Sequence, residues 1–251
     1  MFDSLSIRSL FASSWAEFKI EKKSLLMLTV MFFFLAISQQ LFINFLSDVT
    51  NMYAIIVAGI ISLILSWTII IYGAIFSRNL LDVVYHRPLH WLSFSSTVLK
   101  AAFMHFIIAQ IATLLMLPIL VCWIYFFMPE HVYLLADYGF AGIEFPQNWY
   151  IAQAILLTAF AIFLCANYLF IRCIFVDLFI LEQKCTISQA LSLSWQVTQG
   201  HFWFIVVLAL AVMSIIFIGL MVLFIGVFVA LPVAMLMRVH LFKALIESEQ
   251  L

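Results

Sequence analysis

Residues Thr186 to Val212 read "TISQALSLSWQVTQGHFWFIVVLALAV", and the change of character at Gly200 decides the fold. The last eleven residues, from Phe202, are continuously apolar and seek a membrane. The first fifteen carry no charge, yet wound at 100° per residue they divide into two faces. Ile187, Ala190, Leu191, Ser194, Trp195 and Thr198 share one face, and Ser188, Gln189, Ser192, Gln196 and Gln199 share the other. Thr186 and Gln189 fit a capping box, which starts the helix at a defined residue. Such a helix lies in the membrane interface, and Gly200 is the expected joint at which the chain turns inward.

Composition sets the same class for the whole chain. With 67% hydrophobic residues, 9% charged and 27 Phe, too little polar surface exists to cover a water-soluble core. The chain is therefore expected to be an all-α integral membrane protein. Crossing about 30 Å of hydrocarbon takes roughly 20 helical residues. Runs of that length are read at about 25–46, 52–76, 102–127 and 150–173. The final apolar stretch, 201–243, is twice as long and is expected to fold back between Gly219 and Gly226. Six transmembrane helices result.

The basic residues test that count. With both termini cytoplasmic, Arg8, Lys19, Lys22, Lys23, Arg78, Arg87, Lys100, Arg172, Lys184, Arg238 and Lys243 all fall inside. The outer segments then carry Asp48, Glu130, Asp137 and Glu144. This is the charge asymmetry of a cytoplasmic membrane. No small-x-small cleavage site follows the first apolar run, so helix 1 is expected to stay in the protein.

The two-faced pattern recurs. "SIRSLFASSWAEFK" aligns with the opening stretch at an offset of 180, setting Leu10 on Ala190, Phe11 on Leu191, Ser14 on Ser194 and Trp15 on Trp195. A weaker copy, "PLHWLSFSSTVLKAAFMH" from Pro88, aligns at an offset of 99 and sets Ser95 on Ser194. The chain is thus expected to form a single membrane domain, 1–251. Its three units, about 1–77, 78–173 and 174–251, each comprise a cytoplasmic interfacial helix followed by a transmembrane hairpin. Ser is expected to tuck toward the hairpin, with Trp at the headgroup level.

Arg172 and Phe175, then Ala190, Leu191, Ser194, Trp195, Gly200, Phe202 and Trp203, then Pro232, resemble a pattern of YciC-like bacterial inner-membrane proteins. They also resemble the related membrane domain attached to some glycerophosphodiester phosphodiesterases. The resemblance is clearest over 165–240. It implies a six-helix inner-membrane protein concerned with lipids or envelope maintenance. No soluble catalytic domain is expected in this chain, so the phosphodiesterase activity is not expected to carry over. Where the family usually has charges in the amphipathic helix, Ser and Gln stand here.

Catalytic motifs are missing: there is no GxSxG, HExxH or Gly-rich phosphate loop, and no cofactor or metal is expected. Cys122, Cys165, Cys173 and Cys185 lack CxxC spacing and read as small apolar fillers. His105, Gln110 and Asn167 are the polar residues at membrane depth that could line a path or bond between helices. His105 and Gln110 point to different faces, as do Arg172 and Asp177 if one helix carries both. Neither His105 nor His240 has an evident carboxylate partner. Arg172, His201, Arg238 and His240 sit at one level and are expected to form a basic site for a phospholipid headgroup. The long outer segment from Pro129 is expected to start with a short helix, its Glu130, His131, Asp137 and Glu144 forming a solvated face. Membrane phospholipid is the expected partner, with a protein partner or homo-oligomer possible and nucleic acid excluded. A small-solute transporter built from same-orientation hairpins is the alternative.

The topology has a direct test. Green fluorescent protein fused at either terminus is expected to fluoresce, and alkaline phosphatase inserted near residue 140 to be active. The opposite pattern would invert the orientation.

Overall fold

The computed structural model describes residues 6–47, 52–89, 95–108, 110–111, 149–221 and 225–249. Nine helices and no strand occur among the described residues. They are α1 (Ile7–Ile20), α2 (Lys22–Ser47), α3 (Met52–Val84), α4 (Ser96–Ile108), α5 (Trp149–Arg172), α6 (Val176–Gln183), α7 (Ile187–Gln199), α8 (Phe202–Met221) and α9 (Ile225–Glu249). Five stretches are long and apolar enough to cross a membrane: Lys22–Asn44, Gly59–Val84, Leu157–Gln183, Phe202–Met221 and Gly226–Ser248. The run expected at 102–127 is described only as far as 111, and the outer segment with Glu130, His131, Asp137 and Glu144 lies outside the described residues, as does Cys122.

Two compact units divide the chain, one of Met1–His105 with Cys173–Leu251, the other of Phe106–Arg172. In the first, α9 packs against α8, α1, α2 and α3, while α6 packs on α3 and α7. Phe175, Phe179 and Phe242 meet in its core, with ring centroids 4.9 Å apart for Phe179 and Phe242. Lipid-type surface remains outside: Phe34, Leu41, Leu63, Leu210, Met213 and Phe217 are exposed. At 33 residues α3 is about 50 Å long, more than the hydrocarbon needs. Its C-terminal end, with Ser77, Asn79 and Asp82, is buried by protein instead.

The offset of 180 holds for more than the faces. Ser6 and Ser9 close a capping box before α1 as Thr186 and Gln189 do before α7, and α2 and α8 begin at equivalent residues, 22 and 202. Ser14 and Ser194 are both fully buried, whereas Trp15 and Trp195 are 37% and 41% exposed. Ser14 Oγ donates to the Leu10 carbonyl at 2.7 Å, which satisfies a hydroxyl held in an apolar contact. Small side chains let each elbow lie close to the bundle while its aromatic stripe faces outward.

One expectation needs correction. The weaker third copy does not start at Pro88: α4 starts at Ser96, with Ser95 at its cap rather than in mid-helix. Buried Val98 and Ala102 beside exposed Leu99 and Phe103 match Ala190, Ser194, Leu191 and Trp195 at an offset of 92 instead. The two offsets differ by seven residues, two helical turns, which leaves the face unchanged and so cannot be told from periodicity. Gly200 does lie at the expected α7–α8 joint, in ordinary right-handed backbone (φ −82°) with nothing within 4 Å of where a Cβ would stand. The bend there needs no glycine. Pro232 stands inside α9, which continues through it.

The α8–α9 turn does fall between Gly219 and Gly226, and there glycine is required. A Cβ on Gly226 would lie 2.6 Å from the Gly219 carbonyl oxygen. Gly226→Ala is expected to destabilise by about 1–3 kcal/mol, as overpacking does. Gly73→Ala, at a helical glycine with nothing within 4 Å, is expected to be neutral or stabilising. Thermal unfolding in mild detergent checks both; equal melting temperatures would refute the close approach.

Candidate functional site

A buried carboxylate organises the polar interior of the first unit. The helix carrying Arg172 stops there, and Cys173–Phe175 form a turn before α6. Arg172 and Asp177 therefore lie on separate helices, so the one-helix geometry does not apply to them. Every residue of α6 from Val176 to Leu181 is buried, Asp177 among them at 3% exposure. Arg238 of α9 donates from Nη2 to Asp177 and from Nε to the Ile174 carbonyl at 3.0 Å. On the other oxygen, His105 Nε2 of α4 lies 3.1 Å from Asp177 Oδ2. An ion cannot be left alone at this depth, and here one carboxylate is shared by two donors from two other helices.

His240 finds a carboxylate too. Its Nε2 is 3.1 Å from Glu17 Oε2 of α1, with both side chains 14% exposed, an ion contact rather than an aligned hydrogen bond. The expectation that His105 and His240 lack carboxylate partners is thus overturned for both. Asp177 and Glu17 are the functional candidates that sequence reasoning missed. One signal pointed to Glu17: the offset of 180 sets it on Val197, a buried position, where an acid requires a partner. No comparable signal marked Asp177, because its partners are 61 and 72 residues away.

The remaining expected residues take separate places. Arg238 and His240 answer carboxylates within the first unit. His201 Nδ1 is 3.4 Å from the Val197 carbonyl oxygen, at the joint before α8. In the second unit, Arg172 Nη2 donates to the Tyr168 hydroxyl at 3.0 Å, and its guanidinium lies 5.1 Å from the centre of the Tyr168 ring. Asn167 bonds back to the Phe163 carbonyl at 2.8 Å, and Gln110 is exposed. Of the cysteines described, Cys165 is exposed and Cys173 and Cys185 are half-buried; burial pushes the Cys185 thiol up. Among the described residues no three metal-ligand side chains gather.

These features define a multi-pass, all-helical membrane protein whose first unit holds a buried Asp177–Arg238 ion pair and two histidine–carboxylate contacts. The family model described as the membrane domain of glycerophosphoryl diester phosphodiesterase matches residues 144–248, so this stretch is related to that membrane domain and not to a catalytic one. No curated protein and no solved structure matches the chain.

Asp177→Asn strands the Arg238 guanidinium and is expected to cost about 3–5 kcal/mol of stability. Adding Arg238→Met to that variant is expected to restore most of the loss. Thermal unfolding of the three proteins in one detergent decides it. A double variant no more stable than the single one would deny the pair.

Proposed function

We propose that this chain is a non-enzymatic, multi-pass protein of a bacterial inner membrane, with both termini cytoplasmic, that serves membrane or envelope homeostasis by holding phospholipid at the inner leaflet. The observation that carries the reading is the pair of elbows. α1 and α7 turn Phe11 with Trp15, and Leu191 with Trp195, outward at equivalent positions. Half-exposed aromatic stripes on helices leading into apolar spans suit the headgroup region, where the ring is buried and its N–H stays wet. Arg172, at the inner end of α5 and backed by Tyr168, suits a lipid phosphate. His201, Arg238 and His240 are the other basic groups of that expected site.

The family relation supports the lipid assignment, since the matched domain is one that accompanies a glycerophosphoryl diester phosphodiesterase. It also supports the absence of an activity of this chain's own, because the matched part is the membrane domain alone. The transporter alternative rests on the hairpins expected from the sequence repeat alone.

Native mass spectrometry of the full chain released from lipid nanodiscs tests the proposal. The wild type is expected to retain phospholipid of defined class, and Arg172→Ala to retain at least tenfold less. A bare wild-type protein would overturn the reading. Solute flux into proteoliposomes without retained lipid would put the transporter in its place.

A further inference from the structure

The cations that the sequence places inside are not all spent on buried acids. Arg78, Arg87 and Lys184 converge on a cavity of about 240 Å³ between the end of α3, the turn after it and the end of α6, where Asp82, Leu181 and Glu182 complete the wall. All of them belong to the first unit. The three cations arrive on separate segments, and their settings differ. Arg87 forms a bidentate pair with Glu182, at 2.7 and 2.9 Å, and its guanidinium lies 4.8 Å from the centre of the Tyr85 ring, so it is a fixed wall. The Glu182 hydrogen bond holds its pKa above the ordinary arginine value. Arg78 reaches the neutral Ser95 hydroxyl at 3.3 Å. Lys184 is exposed.

The backbone supplies a second observation. Among the described residues only His86 and Lys184 are non-glycine residues with positive φ, at 53° and 54°. His86 immediately precedes Arg87, and Lys184 is itself a cavity residue. Left-handed backbone disfavours any side chain with a Cβ, so two such residues delivering cations to one cavity mark strain gathered at one place. Glycine would relieve it at Lys184, where it would close α6, but glycine carries no ammonium.

Depth narrows the ligand. Arg78 stands two residues beyond the apolar run read at 52–76, and that run of 25 residues is long enough to cross about 30 Å of hydrocarbon. The cavity therefore sits at the inner headgroup level. Its volume is below the roughly 300–1,000 Å³ of drug-sized sites.

We infer that the cavity between α3 and α6 binds a phosphate ester through Arg78 and Lys184, with Arg87 as its fixed wall, and that its natural source is the headgroup of an anionic phospholipid. The inference rests on the lipid reading above and gives it a chemical class and a second place of contact. A soluble phosphate ester is the other source of the same chemistry.

The test uses the full chain in nanodiscs of mixed phosphatidylglycerol and phosphatidylcholine, read by native mass spectrometry, with titration of glycerol 3-phosphate by calorimetry in parallel. Wild type is expected to retain phosphatidylglycerol over phosphatidylcholine. Arg78→Gln with Lys184→Gln is expected to lose that preference by roughly twenty-five-fold, about fivefold for each cation near the surface. Glu182→Gln, which frees Arg87, is expected to raise it about fivefold, a gain that misfolding cannot mimic. Retention of the lipid without affinity for glycerol 3-phosphate supports the headgroup as the source; the reverse supports the soluble ester and fails the lipid reading while the cavity stands. If the double variant matches wild type while Arg172→Ala loses lipid, the cavity is overturned and the lipid reading stands. If neither probe binds, both fall.

Discussion

The carboxylate of Asp177 is the constraint on which the inner half of the first unit depends. It is buried on a helix with no exposed residue from Val176 to Leu181, so water cannot satisfy it. Arg238 and His105 must, and they come from the last helix and from α4. Coulomb attraction in a low-dielectric interior is strong, yet desolvation cancels much of it, so the pair contributes less to net stability than to uniqueness. Apolar helices slide on one another at little cost. A shared buried acid permits one register of three of them.

The same logic runs through the contact of Glu17 with His240, which ties the first elbow to the last helix. Elsewhere small side chains do the equivalent work. Ser14 and Ser194, buried at equivalent positions, let α1 and α7 approach the bundle, and their neighbours Trp15 and Trp195 stay half-exposed. Close approach on one stripe and an aromatic stripe beside it come from a single helical period. Recurrence of this device, with its caps, at an offset of 180 explains how two elbows far apart in sequence share one design.

Function follows from what the fold leaves over. Arg238 is consumed by the interior and Arg87 by Glu182, while Arg78 and Lys184 line a cavity at headgroup depth and Arg172 stacks on Tyr168 in the other unit. In a chain with so few charges, the division between cations that hold helices together and cations available to an anion is the division between architecture and binding.

How much of this was legible beforehand depends on the range of the interaction. The class, five of the expected spans, the elbow at Thr186 with its capping box and the turn between Gly219 and Gly226 were readable, because burial periodicity, capping and glycine contacts are local. Register along a helix was not: faces repeat every two turns, so the third elbow was set seven residues early, at Pro88 instead of Ser96 plus its cap. Ion partners were least legible of all. The sequence sets Asp177 on a different face from Arg172 and offers it no partner, and His105, Arg238 and Glu17 gain their partners from helices tens to hundreds of residues away. The sequence by itself determined that the chain lives in a membrane, because hydropathy and helical period act residue by residue. Only the tertiary structure decided which of its scarce charges meet, because a charge chooses among all helices by distance, and distance exists only after packing.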